Sequence, residues 1–258
     1  EQAGAEVVMT REQDIDVPLR ERAEIANRAG CDLFISIHHN AAPNPQANYT
    51  TVWYHGTVDD NPASLDLARH LCQALLDILQ LPQQIPNPVL SDLLMYDNGF
   101  AVLRYARMPA VLTEASFHSN PQQEQRLRDP EYNRLEARAL FIGLARYAAG
   151  GLPRAELTSP ADGVIRIGQT RRITVRMDDG LTARKGWGHE RWKILSGTIS
   201  VWLDDSRLDF ELDRPARQLR ITLPPDLSPG SHRLRVHFQN MYKHSCISPP
   251  LQIRVLPG

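Results

Sequence analysis

Phe34-Ile35-Ser36-Ile37-His38-His39-Asn40-Ala41 is the stretch whose reading decides the fold. With Asp32-Leu33 ahead of it, it is an apolar run of strand length that breaks off abruptly into His-His-Asn. Such a run, flanked by polar residues, predicts a buried strand. In open α/β sheets, ligand sites lie beyond the carboxyl ends of strands. A neutral imidazole there can serve as a zinc ligand, or simply as a hydrogen-bonded structural residue. A second stretch repeats the design: Met108-Pro109-Ala110-Val111-Leu112-Thr113-Glu114-Ala115-Ser116-Phe117-His118-Ser119-Asn120. Here the strand runs out at Glu114, and a carboxylate at a buried strand end is costly unless paired or functional. Glu114 therefore reads as a general base, a ligand or one half of an ion pair.

Working outward, the first part of the chain alternates strands with helices. Ala5–Thr10 is a β-rich run, and Val17–Ala29 has helical spacing through Leu19, Ala23, Ile25 and Ala26, with Asp16 as a possible cap and Gly30 as a stop. Thr51–His55 is a further strand candidate. Ser64–Leu79 carries a broad apolar stripe through Leu65, Ala68, Leu71, Cys72, Leu75, Leu76 and Leu79. Residues 80–100 read as irregular, and Pro130–Ala149 as a closing helix capped by Asp129. This alternation predicts an α/β domain: an open, mostly parallel sheet with helices on both faces.

The pattern changes at Gly150-Gly151-Leu152-Pro153, which places domains at residues 1–150 and 151–258. Beyond it, Gly163–Ile167, Arg172–Met177, Thr198–Leu203, Arg217–Leu223, His232–Phe238 and Leu251–Val255 alternate apolar and polar residues between turn clusters. About seven short strands in roughly 100 residues suggest an immunoglobulin-like β-sandwich.

The overall composition is globular, 42% apolar and 23% charged, and no apolar run reaches the roughly 20 residues of a membrane helix. The near-neutral total hides an asymmetry. Residues 1–150 hold 12 Lys and Arg against 19 Asp and Glu, a net of −7; residues 151–258 hold 17 against 11, a net of +6. A basic module tied to an acidic one can face a polyanion, although ordinary solvated surface gives the same count. Cys31, Cys72 and Cys246 include no C-x-x-C pair and read as neither a metal site nor a disulfide framework.

Taken together, the two strand-end stretches resemble the zinc-dependent N-acetylmuramoyl-L-alanine amidases of the family-3 type. Ser36-Ile37-His38-His39-Asn40-Ala41 fits that family's zinc-histidine strand, and Pro109 to Asn120 fit its glutamate strand. Supporting fragments lie in order: Thr10-Arg11, Asp14, Leu19, Arg22, Ala26-Asn27 and Val102-Leu103-Arg104. The resemblance covers about residues 1–148. It implies a peptidoglycan hydrolase of the cell envelope, periplasmic or secreted, that cuts the amide between the lactyl group of N-acetylmuramic acid and L-alanine. Zn2+ would be its cofactor, His38 a metal ligand, Glu114 the general base, and Asn40 and His39 candidate substrate contacts. Peptidoglycan is the implied partner, with anionic envelope polymers possible for the basic C-terminal domain, and neither nucleic acid nor a membrane span expected.

The family's first strand, with its glycine-flanked zinc histidine, and the glutamate ligand on the helix after it have no counterpart here. The chain opens Glu1-Gln2-Ala3-Gly4-Ala5, which reads as a helix end stopped by Gly4. The expectation is a catalytic domain that lacks its front, so that the chain as given binds zinc weakly and shows little or no activity, whereas the full-length protein hydrolyses peptidoglycan. Two other functions compete: a non-catalytic wall-binding relative, and a related zinc peptidase. His39, His55 and His118 each flank a strand end and are expected near the site or on ordinary polar surface. Of the two tryptophans in the basic stretch Arg184–Lys193, Trp192 is expected in the sandwich core and Trp187 is left open.

Overall fold

The computed structural model describes residues 4–166, 171–181 and 192–257. The chain divides into two compact units, Glu1–Ala149 and Gly150–Gly258.

Unit 1 contains α1 (Leu19–Ala29), β1 (Phe34–Asn40), β2 (Thr51–Tyr54), α2 (Pro62–Leu79), β3 (Val89–Ser91), α3 (Ala101–Arg104), β4 (Ala110–Phe117), α4 (Pro121–Leu127) and α5 (Pro130–Ala149). Its sheet has the order β1-β4-β2-β3. β1 pairs with β4 in parallel, and β2 with β3 likewise, but β2 and β4 run antiparallel. The sheet is thus mixed, where the alternation of elements predicted a mostly parallel one. The loop at residues 41–50 explains the reversal: a parallel return takes a crossover of a dozen or more residues, usually helical, and this loop, with Pro43 and Pro45, is too short for one.

Helices cover both faces of the sheet. On one face Ala26 of α1 and Val102 and Leu103 of α3 share a core with Phe34, Trp53, Ala110 and Leu112. α2 lies against β2, β3 and β4 and against α5. Its Leu67, Leu71 and Leu75 are fully buried, each stabilising the fold by about 1.5–3 kcal/mol. α2 and α5 approach so closely at Gly143 that a Cβ there would sit 2.9 Å from the His70 carbonyl. Pro62 opens α2 at a position where a missing N–H costs nothing, and the Asp129 side chain accepts from the Glu131 N–H at the start of α5. Ala5–Thr10, read as a strand, is irregular and largely exposed in the structure: β propensity needs a neighbouring strand to act on, and this segment pairs with none among the described residues. Asp16 does not cap α1, which starts behind Pro18.

Unit 2 is all β: β5 (Arg154–Ser159), β6 (Val164–Arg166), β7 (Arg172–Asp178), β8 (Ser200–Leu203), β9 (Ser206–Leu208), β10 (Phe210–Asp213), β11 (Gln218–Thr222), β12 (Gly230–His237) and β13 (Leu251–Leu256). They form two sheets, β10-β11-β7-β5 and β6-β13-β12-β8-β9. One apolar core joins them, including Ile173, Val175, Leu219, Ile221, Leu234 and Ile253, all fully buried. Trp192 packs half-buried against this core, whereas Trp187 lies outside the described residues.

Candidate active site

His38 and Glu114 stand opposite each other in the β1–β4 register. Side chains at paired positions of neighbouring strands share a face, so the ladder itself brings the two sequence-predicted residues together. Neither is free to be ordinary surface. His38 is half-buried, with Nε2 2.8 Å from the Oγ of buried Ser36. Desolvation and the nearby Arg22 guanidinium of α1 hold its pKa below the usual 6.5, so the imidazole is neutral at physiological pH. Glu114 is partly buried, its Oε2 has no hydrogen-bond partner, and desolvation pushes its pKa from 4.5 up to about 7. A carboxylate in that state sits at the midpoint between giving and taking a proton.

Directly beyond this pair the register slips, from His38↔Glu114 to Asn40↔Phe117. The two strand ends are then laced together: the His118 N–H donates to the Asn40 carbonyl, and the Ala42 N–H to the Ser119 Oγ, at 2.9 and 3.0 Å. Asn40 spends its own Oδ1 on the Ala41 N–H, which shapes the turn. His39 points away from His38, as consecutive strand residues do. Its Nδ1 lies 3.0 Å from the Oγ of Ser116, and its Nε2 3.5 Å from Oε2 of Glu136 on α5. Burial and the neighbouring His118 and His38 lower the His39 pKa. Glu136 is 95% buried; desolvation pushes it up to about 7 as well. At 3.5 Å its carboxylate is within ion-pair range of His39 but makes no hydrogen bond.

Sequence reasoning missed Glu136. The signal was there: it falls on the stripe that also buries Ala139, Leu140, Gly143 and Tyr147. His55, read as near the site or as ordinary polar surface, does not lie near the site. β2 runs against β4, with Thr51 opposite Glu114 and Tyr54 opposite Val111, so His55 leaves the sheet at the other end. There its Nδ1 lies 3.0 Å from Asp92, a fully buried carboxylate that also accepts from the Phe100 and Gly56 N–H groups. A Cβ on Gly99 would collide with that carboxylate at 2.4 Å. His55 and Asp92 thus hold a loop in place.

Among the described residues, no three His, Cys, Asp or Glu side chains are grouped to hold a metal ion. His38 offers one imidazole; the described residues do not complete a zinc site around it.

Glu114 lies inside β4, which continues to Phe117, where the sequence predicted a strand running out at Glu114; the chain that carries it has known relatives. The N-acetylmuramoyl-L-alanine amidase family profile matches residues 1–146, and the chain belongs to that family. It is 28% identical over 179 residues to the N-acetylmuramoyl-L-alanine amidase AmiC of Neisseria meningitidis, covering 57% of this chain and 43% of that protein. It is 34% identical over 148 residues to the probable cell wall amidase LytH of Staphylococcus aureus, covering 57% and 44%. The structure of the N-acetylmuramyl-L-alanine amidase Ami1 from Mycobacterium abscessus aligns with a TM-score of 0.50 at 25% identity, over 57% of this chain and 70% of that one. The chain spans less than two thirds of the length of the curated relatives named here.

Proposed function

We propose that the protein hydrolyses peptidoglycan at the amide between the lactyl group of N-acetylmuramic acid and the L-alanine of the stem peptide. The observation that carries the reading is Glu114: a desolvated carboxylate without a hydrogen bond on Oε2, titrating near neutrality, in register with His38. Family membership supplies the bond class, and Glu114 supplies a group suited to breaking it. In the proposed reaction Glu114 takes a proton from water as the oxygen adds to the lactyl carbonyl carbon. It then returns that proton to the alanine nitrogen as the C–N bond breaks. A positioned base of this kind is worth about 10²–10⁴-fold. His38, neutral and fixed by Ser36, presents its remaining nitrogen at the same strand end.

Zinc enters the proposal as the cofactor the family resemblance expects, with His38 as the ligand assigned in this chain. Because the described residues do not assemble a complete donor set, no step is written through the metal. The cell envelope is the proposed location, and an immunoglobulin-like topology is the proposed reading of the two-sheet unit 2. Incubating the full-length protein with purified peptidoglycan and quantifying new N-terminal alanine tests the proposal. Release of N-terminal alanine is expected; cleavage confined to bonds within the stem peptide would replace the amidase reading with a peptidase one.

A further inference from the structure

Glu136 is a misfit on its helix. It lies on the buried stripe of α5 beside Ala139, Leu140 and Gly143, where a leucine would pack at no desolvation cost. Its Oε2 makes no hydrogen bond, yet it aims at His39 Nε2 from 3.5 Å. His39 in turn meets Ser116 through Nδ1 at 3.0 Å, and the Ser116 side chain is fully buried. Ser116 belongs to the bulge itself: between His38↔Glu114 and Asn40↔Phe117, β4 spends Ala115 and Ser116 opposite the single residue His39. A bulge re-aims the side chains beside it. The row Glu136–His39–Ser116 therefore ties α5, β1 and the β4 bulge together two residues from Glu114.

We infer that Glu136 is a positioning residue that acts through His39, fixing the imidazole so that it pins Ser116 and with it the bulge that orients Glu114. The inference rests on the amidase reading for its kinetic consequence, but the Glu136–His39–Ser116 row can be tested without it. The row has one polarity when Glu136 is ionised: Nε2–H points to the carboxylate, which leaves Nδ1 to accept from the Ser116 hydroxyl.

The test has two arms on the full chain. Long-range 1H–15N NMR at alkaline pH, with the His39 signal assigned by its loss in His39→Asn, reads the tautomer. The Nε2–H form is expected in the wild type and in Glu136→Gln, whose amide oxygen offers Nε2–H an acceptor at the same place, and a mixture in Glu136→Leu. Steady-state kinetics on peptidoglycan fragments form the second arm. Glu136→Leu and Ser116→Ala should each lower kcat about tenfold with KM unmoved, Glu136→Gln should stay within about twofold, and the double variant should be no worse than the worse single one. Ser116→Ala leaves α5 untouched, so it covers the case in which Glu136→Leu misfolds. An unchanged tautomer in Glu136→Leu, a loss carried by KM, or a glutamine variant as impaired as the leucine one overturns the inference. If the wild type cleaves no wall substrate, the amidase reading fails, and the tautomer arm alone upholds or overturns the Glu136–His39 pair.

Discussion

Asn240 of unit 2 and the two carboxylates Glu114 and Glu136 of unit 1 are buried polar groups of opposite kinds. In unit 2, Asn240 is fully buried and uses its whole hydrogen-bonding capacity. Its Nδ2 donates to the Gly150 and Asp179 carbonyls at 2.8 and 3.0 Å, and its Oδ1 accepts from the Tyr242 and His244 N–H groups at 2.9 and 3.2 Å. In unit 1, Glu114 and Glu136 each leave a buried carboxylate oxygen without a hydrogen bond, and both titrate near neutrality. A satisfied buried group holds a fold together. An unsatisfied one costs stability and stores reactivity. The contrast supports the proposed catalytic reading of Glu114 in unit 1.

The largest effect should come from Glu114→Gln. Amide hydrolysis by the full chain should fall by about 10²–10⁴-fold. The folded state should lose nothing and gain at neutral pH, because a neutral amide replaces a desolvated carboxylate. Turnover near wild type would remove Glu114 from its role; a large loss of stability would mean that it holds the fold after all.

Asn240→Ala should behave in the reverse sense. It removes four hydrogen bonds at about 1 kcal/mol each and strands two carbonyls and two N–H groups, so unit 2 should lose about 3 kcal/mol or more, read by denaturant unfolding. Unit 1 should melt unchanged. If unit 2 tolerates the substitution, the satisfied side of the comparison is wrong.

A smaller effect is expected from pH, with a different window in each unit. The folded state keeps Glu114 and Glu136 protonated up to about 7, whereas the unfolded chain gives up those protons near 4.5. Between the two values the folded state binds more protons, so the stability of unit 1 should fall as pH rises across that window. Activity should rise over the same range as Glu114 ionises. In unit 2 the corresponding group is His232, raised above 6.5 mainly by its hydrogen bond to Asp204. Its contribution is fully present below 6.5 and is lost as pH rises further. Melting curves of Glu114→Gln, Glu136→Gln and His232→Gln across pH 4 to 9 should each flatten the slope assigned to that residue; an unchanged slope would cancel the assignment.

How much of this was legible in the sequence follows from the range of the interactions involved. β1, β4, α2 and α5 were legible because apolar periodicity is local, and α5 runs from Pro130 to Ala149 as read. The two strand-end motifs and their resemblance to one family named His38 and Glu114, but the register that sets them opposite each other was not legible in them; it comes from the pairing of β1 with β4. The direction of β2 was not legible, since it depends on what a loop of limited reach can do in three dimensions, and with it the choice between the two readings of His55 stayed open. β5, β9 and β10 were missed because short strands that are half exposed carry little alternation to detect. Glu136 was passed over because a single charge on a helix is ordinarily solvated; its place on the stripe with Ala139, Leu140, Gly143 and Tyr147 was the signal that went unread.

The smallest effect concerns what unit 2 binds. Residues 151–258 carry a net charge of +6, against −7 for residues 1–150. Bacterial envelopes present anionic polymers, and a weak binder tethered to a catalytic unit raises the local substrate concentration without any new contact at the active site. Such binding is electrostatic and should fade as salt shortens the Debye length to about 8 Å near physiological ionic strength. The piece to express is residues 150–258, because Asn240 and His244 bond to the carbonyls of Gly150 and Gly151, and a later start would cut into the most satisfied part of the unit. Sedimentation with purified cell walls should show binding at low salt that declines steadily along a salt series. Binding indifferent to salt, or none at low salt, would leave unit 2 as architecture alone and make the contrast between the units complete.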